Sequence, residues 1–174
     1  MTRKEFEKIF LDPLSYAFDI LIVFDKNGFL PKNVVGSARV KTKQCNKRII
    51  LKYNKNTNDV LQTLFHELGH YLMHGTGSNF RGRKWITELE AEYCSMYTCK
   101  LLNIYYDFYF CDNKNKKITD IDMIWVNCPP NSKIEPRHDL VKECGNIISK
   151  TIKVILFNNP QLKLGKFIDI YSKE

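Results

Sequence analysis

Two histidines four residues apart, His66 and His70, with Glu67 directly after the first, are the residues of this chain best equipped for chemistry. On a helix, positions i and i+4 lie on one face, a turn apart. Two imidazoles so placed converge on a single metal ion, at the about 2.0–2.1 Å of a zinc–nitrogen bond. The glutamate beside them is within reach of a water that the metal activates, and can take its proton. His66-Glu67-Leu68-Gly69-His70 is an H-E-x-x-H sequence, so one zinc ion is the expected cofactor and Glu67 the expected catalytic carboxylate.

A catalytic zinc takes three protein ligands and leaves a position open. Glu88 and Glu92 are four apart on the next predicted helix and share a face. Glu88 is the expected third ligand, with Glu92 orienting a ligand histidine. Spacing alone also permits the two to exchange roles. Thr87-Glu88-Leu89-Glu90 fits a capping box, which gives Glu90 a local job at a helix start. His74 continues the stripe of His66 and His70 but lies a further turn along, about 6 Å on. It is expected outside the ligand set, either beside the site or facing solvent. Tyr93, Tyr97, Arg137 and His138 are candidates, by type alone, for stabilising negative charge on a substrate oxygen.

These residues need elements to hold them. From Val60 to His74, Leu61, Leu64, Phe65, Leu68 and Leu72 recur on one face, which predicts a helix stopped by Gly75 and Gly77. Before it, Phe18–Phe24, Val34–Val40 and Lys47–Tyr53 read as strands. The polar stretch Lys41–Asn46 suits a hairpin, and Asp25–Gly28 suits a turn. Phe6, Ile9, Phe10 and Leu14 predict a short helix over residues 3–16. A second helix is predicted from Thr87, or slightly earlier, to Asn103, and a last long one from Pro136 to the stop at Asn158-Asn159-Pro160. Residues 105–135 give no clear assignment. The expected class is α+β: a single domain over residues 1–174, with a small, mostly antiparallel sheet beside the active-site helix and further helices after it.

Bulk properties narrow the classes. The 174 residues, 44% hydrophobic and 26% charged, suit one globular domain. No apolar run is long enough to span a bilayer. Met1-Thr2-Arg3-Lys4-Glu5 carries no secretory signal, so a cytoplasmic location is expected, with no membrane partner. Six cysteines occur without a C-x-x-C pair, which argues against a zinc ribbon or a thioredoxin-like site and for reduced, buried thiols. The net charge of +8 suits nucleic-acid contact. Yet the lysines are spread along the chain, with one short cluster at Lys114, Lys116 and Lys117, and no binding motif accompanies them.

The segment Thr63-Leu64-Phe65-His66-Glu67-Leu68-Gly69-His70-Tyr71-Leu72-Met73-His74 resembles the active-site helix of the ImmA/IrrE family of metallopeptidases. Glu88-Leu89-Glu90-Ala91-Glu92 resembles that family's second motif, a glutamate followed by an alanine three residues later. Where this chain has Glu92, the family usually has Asp or Asn. The metallopeptidase-like domain of ArdC-type antirestriction proteins is similar too. Its glutamate-rich second helix ends much like Cys99–Ile104, and an aromatic segment, a tryptophan and a terminal helix follow. Here those are Tyr105–Phe110, Trp125 and residues 137–156.

The likeness implies a zincin-like fold of gluzincin type. It implies a zinc metallopeptidase that hydrolyses peptide bonds of a protein substrate, on a phage or other mobile element or in its bacterial host. ImmA/IrrE members are associated with cleaving or controlling transcriptional repressors, which makes a repressor the implied partner. The ArdC likeness implies instead antirestriction or contact with single-stranded DNA, and a catalytically weak zincin-fold regulatory module that binds protein or DNA is the further alternative.

Overall fold

Residues 3–18 form one helical rod in three parts: α1 (Arg3–Phe6), a π-helical stretch (Glu7–Leu11) and α2 (Asp12–Phe18). The computed structural model describes residues 2–32, 34–39, 47–53, 57–74, 84–104, 106 and 137–162. Thr2 caps α1: its hydroxyl accepts from the Glu5 N–H, and the Glu5 carboxylate accepts from the Thr2 N–H. Pro13 has no N–H to give the preceding turn. Just before it the ladder widens, and the Asp12 N–H reaches back five residues to the Glu7 carbonyl. A proline inside a helix costs about 3 kcal/mol. Phe6, Phe10, Leu11 and Leu14 are fully buried on this rod, and each contributes about 1.5–3 kcal/mol, so burial wins. The predicted helix thus extends to Phe18, and the strand expected from Phe18 starts only at Leu21. Asp19, with φ 49°, ends α2 in the left-handed region.

Three short strands follow: β1 (Leu21–Phe24), β2 (Gly36–Arg39) and β3 (Arg48–Leu51). Their order is β1-β3-β2. β2 runs antiparallel to β3, as a hairpin requires, with Gly36 opposite Leu51. β1 runs parallel to β3, with Leu21 opposite Arg48. The sheet is therefore mixed, which corrects the expectation of a mostly antiparallel one. Hydrophobicity explains the order. Ile49, Ile50 and Leu51 are all buried, so β3 takes the centre. The chain leaving β1 crosses to the far edge before entering β2, and this makes β1 parallel to the central strand. Asp25 starts that crossing, its carboxylate accepting from the N–H groups of Phe29 and Leu30 at 2.9 Å each.

Three long helices complete the fold: α3 (Thr57–His74), α4 (Lys84–Leu101) and α5 (His138–Asn158). α3 lies against β2 and β3; α4 packs on α3, and α5 on both. Hydroxyl groups tie the layers together. Tyr71 of α3 donates to the Phe18 carbonyl at 3.1 Å, and Ser95 of α4 donates to the Gln62 carbonyl at 2.8 Å. The backbones of α3 and α4 approach closely at Gly69. A Cβ there would sit 3.1 Å from the Cys94 Cβ and 3.3 Å from the Ala91 backbone.

α4 begins three residues before Thr87, so the expected capping box does not form. Thr87 is instead a buried residue inside the helix. α5 begins at His138 and stops at Asn158. Cys94, Cys99 and Cys144 are buried free thiols. Among the described residues no helix is long and apolar enough to cross a membrane. Pro136, Trp125, most of the aromatic run 105–110, the lysine cluster at 114–117 and the other three cysteines lie outside the described residues.

Candidate metal centre

The apolar stripe of α3 is buried, and its flank carries His66, His70 and His74 in successive turns. Ring centroids are 4.6 Å apart for the first pair and 5.3 Å for the second. α4 runs antiparallel to α3, so Glu92 meets the turn of His66 while Glu88 meets His66 and His70 together. One ligand atom from each of His66, His70 and Glu88 converges on a common point. The two Nε2 atoms are 3.0 Å apart, and each is 3.3 Å from Glu88 Oε2.

Those separations can be tested against an ion. A tetrahedral zinc with bonds of about 2.0–2.1 Å spaces its ligand atoms by about 3.3 Å. The donor set also requires a positive centre. Glu92 Oε2 lies 2.7 Å from His66 Nδ1, and a carboxylate only accepts, so His66 carries its proton on Nδ1 and turns the lone pair of Nε2 inward. Glu88 brings a carboxylate oxygen to the same point. Such electron-rich atoms at 3.0–3.3 Å hold together only around a shared proton or a cation. The residues fit a divalent metal. Glu88 has half its side chain exposed, so the point of convergence opens to solvent on that side.

Without metal, the same geometry perturbs protonation. Burial disfavours the charged form of His66, but the carboxylates of Glu88 and Glu92 outweigh it and raise its pKa to about 10. Hydrogen bonds to His66 and His70 hold Glu88 well below the usual carboxylate range.

Glu67 is buried at 8% exposure, on the side of α3 that meets the sheet. Burial raises its pKa, while the charges of His66 and His70 and an N–H from Ala38 of β2 pull the other way. β2 comes this close because residue 36 is glycine. A Cβ there would lie 2.5 Å from Thr63 Cγ2 and 3.0 Å from both Cγ and Oε1 of Glu67.

Glu92 has a second partner: Tyr106 donates its O–H to Oε1. In the sequence Tyr106 stands inside an aromatic run that suits core or the lining of a groove, and nothing in its spacing links it to Glu92. Glu90 also differs from expectation. It is 2% exposed; it accepts from Arg137 and lies against His74. Burial works against its charge, yet His74 and Arg137 bring its pKa down to about 2. His74 is buried rather than facing solvent.

Of the four candidates for stabilising a substrate oxygen, Arg137 is engaged with Glu90 and Tyr93 is buried in the core. His138 is exposed, with its ring 6.2 Å from that of Tyr93, and Tyr97 packs 6.4 Å from Tyr93.

No curated protein and no solved structure gave a significant match to the chain. A family model did: residues 18–97 match the IrrE N-terminal-like domain of the M78 peptidases. The matched segment runs from the end of α2 through the sheet and α3 into α4, and so contains His66, Glu67, His70, Glu88 and Glu92. Over this segment, which is a little under half of its length, the chain is similar to the ImmA/IrrE-type peptidase family.

Proposed function

We propose that the chain is a zinc metallopeptidase of gluzincin type, a single zincin-like domain that hydrolyses peptide bonds in a protein substrate. The observation that carries this reading is the convergence of His66 Nε2, His70 Nε2 and Glu88 Oε2 within 3.0–3.3 Å, beside a buried glutamate. Zinc is the divalent ion that best suits two imidazoles and one carboxylate. Bound there, it would supply Lewis acidity to water and to a peptide carbonyl.

The chain's own residues do the rest. His66 and His70 present lone pairs from one rigid helix, and Glu92 fixes the tautomer of His66. Glu67 takes a proton from the attacking water and returns it to the leaving amine. Burial makes its carboxylate a stronger base than an exposed glutamate. The Ala38 N–H keeps Glu67 from swinging away and ties it to β2.

β2 has β3 on one side, and among the described residues no strand lies on its other side. An extended peptide paired along that edge would pass beside Glu67. The substrate is thus an unfolded or loop segment. A repressor or regulator of a mobile element is the partner we favour, by analogy with the family.

The test uses purified protein and its Glu67→Gln variant, both loaded with zinc. Each is incubated with denatured bacterial proteome, and new N-termini are mapped by mass spectrometry. The reading expects cleavages that vanish with Glu67→Gln while bound zinc does not change. Cleavage that persists in the variant, or a wild type that binds no zinc, would overturn it.

A further inference from the structure

Behind His70 stands a chain of polar groups that the reaction itself does not use. His70 Nδ1 lies 3.2 Å from His74 Nδ1. His74 Nε2 lies 2.9 Å from Glu90 Oε2. Arg137 then holds Glu90 by three bonds. Its backbone N–H and Nε donate to Oε1 at 2.9 and 3.1 Å, and Nη2 donates to Oε2 at 2.8 Å. The side chains of His74 and Glu90 are 6% and 2% exposed, so bulk water is not the partner that satisfies them.

The direction of each hydrogen bond follows from the donors available. Glu90, gripped by a guanidinium and a backbone N–H, only accepts, so His74 donates from Nε2. A neutral imidazole with its proton on Nε2 has a lone pair on Nδ1. His70 must then donate from Nδ1, which leaves its Nε2 as a lone pair aimed at Glu88 and His66. With the opposite polarity, His74 would donate from Nδ1 and the proton of His70 would move to Nε2. That proton would block the nitrogen a metal needs.

We propose that His74 is a positioning residue that fixes the tautomer and aim of His70, and that Glu90 with Arg137 is the clamp that sets the polarity of His74. The proposal rests on His70 being a metal ligand, as argued above. It makes the two ligand histidines unequal. His66 leans directly on the Glu92 carboxylate, whereas His70 reaches its carboxylate through a second imidazole. It also makes the start of α5 part of the metal site, although Arg137 is 47 residues from Glu90 in sequence.

Losing a partner that orients a metal ligand typically costs about 10- to 100-fold in metal affinity. His74→Leu removes the bonds to His70 and Glu90 together. His74→Gln keeps an acceptor and a donor on one side chain, and so restores the polarity. Zinc affinity is measured by competition with a chromogenic chelator, after circular dichroism shows that each variant is folded. His74→Leu is expected to weaken zinc by about 10- to 100-fold, and His74→Gln to recover most of that loss. Arg137→Gln, at a side chain half exposed to solvent, should weaken zinc in the same direction.

A second measurement needs no variant. Long-range nitrogen–proton correlation spectra of the zinc-loaded wild type report the tautomer of each histidine. The proposal requires the proton of His74 on Nε2 and that of His70 on Nδ1. A His74 proton on Nδ1, or a His74→Leu variant that is folded and binds zinc as tightly as wild type, would overturn it. Glu88→Gln serves as the control on the metal site. If it weakens zinc while His74→Leu does not, the relay fails and the metal site stands. If Glu88→Gln changes nothing, the site itself is wrong and the relay falls with it.

Discussion

Replacing Gly36 by alanine tests whether the position of β2 sets the geometry of Glu67. An added Cβ would lie 2.5 Å from Thr63 Cγ2 and 3.0 Å from Glu67 Cγ and Oε1. Ordinary carbon–carbon contact is about 3.5–4.0 Å, so strand and helix must separate by about 1 Å, or side chains must turn. Thr63 is β-branched on a helix and has few rotamers to turn into. Overpacking of this kind costs about 1–3 kcal/mol. With a urea slope of about 1–3 kcal/mol per molar, the unfolding midpoint should fall by about 1 M. The chemistry should suffer more than the stability, because a misplacement of about 1 Å at a catalytic group costs about 100-fold in rate.

Removing the methyl group separates the two effects. Gly36→Ala with Thr63→Ala should recover most of the stability. It should recover little of the cleavage rate, because the contact with Glu67 persists. Zinc affinity should hardly change in either variant, since His66, His70 and Glu88 do not touch β2 through any described bond. A Gly36→Ala protein with wild-type midpoint and cleavage rate would refute the reasoning.

Three further outcomes are expected. First, His66 in the metal-free protein is charged up to a pKa of about 10, so zinc must expel its proton. Zinc affinity measured by chelator competition should then tighten by about tenfold per pH unit between about 6.5 and 10; a flat profile would contradict this. The same raised pKa stabilises the metal-free fold fully below about 6.5, and that contribution is lost as pH rises through about 10. Second, Glu88→Ala should weaken zinc more than Glu92→Ala, which should cost about 10- to 100-fold; the reverse order, read in the same titration, would exchange their roles. Third, Gly69→Ala places a Cβ 3.1 Å from that of Cys94. It should destabilise the protein by about 1–3 kcal/mol in urea unfolding, and no change would mean that α4 yields freely.

What the sequence revealed of this site was local in origin. His66, Glu67 and His70 are set by helical periodicity, and Glu88 by the same periodicity on the next helix. The β2–β3 hairpin was equally legible, because a short polar stretch joins two apolar runs. The parallel pairing of β1 with β3 was not, since strand order depends on which strand is most deeply buried. Glu90 differs from its sequence expectation for a specific reason. Its spacing from Thr87 matches a capping box, but the helix had already begun at Lys84. Its true partners, His74 and Arg137, are 16 and 47 residues away, and no periodic pattern links them. Tyr106, 14 residues from Glu92, stands in an aromatic run, and such runs ordinarily signal core.

The close approach of α3 and α4 at Gly69 has an effect on how metal is taken up. Where side chains separate two helices, thermal breathing alters the gap between groups mounted on them; here one backbone rests against the other. The cradle for the ion is thus prefabricated and does not assemble around its guest, as it does in small zinc modules that collapse without their metal. Stripping the ion with a chelator should leave the far-ultraviolet spectrum intact and lower the melting temperature only by the mass-action share of the lost binding.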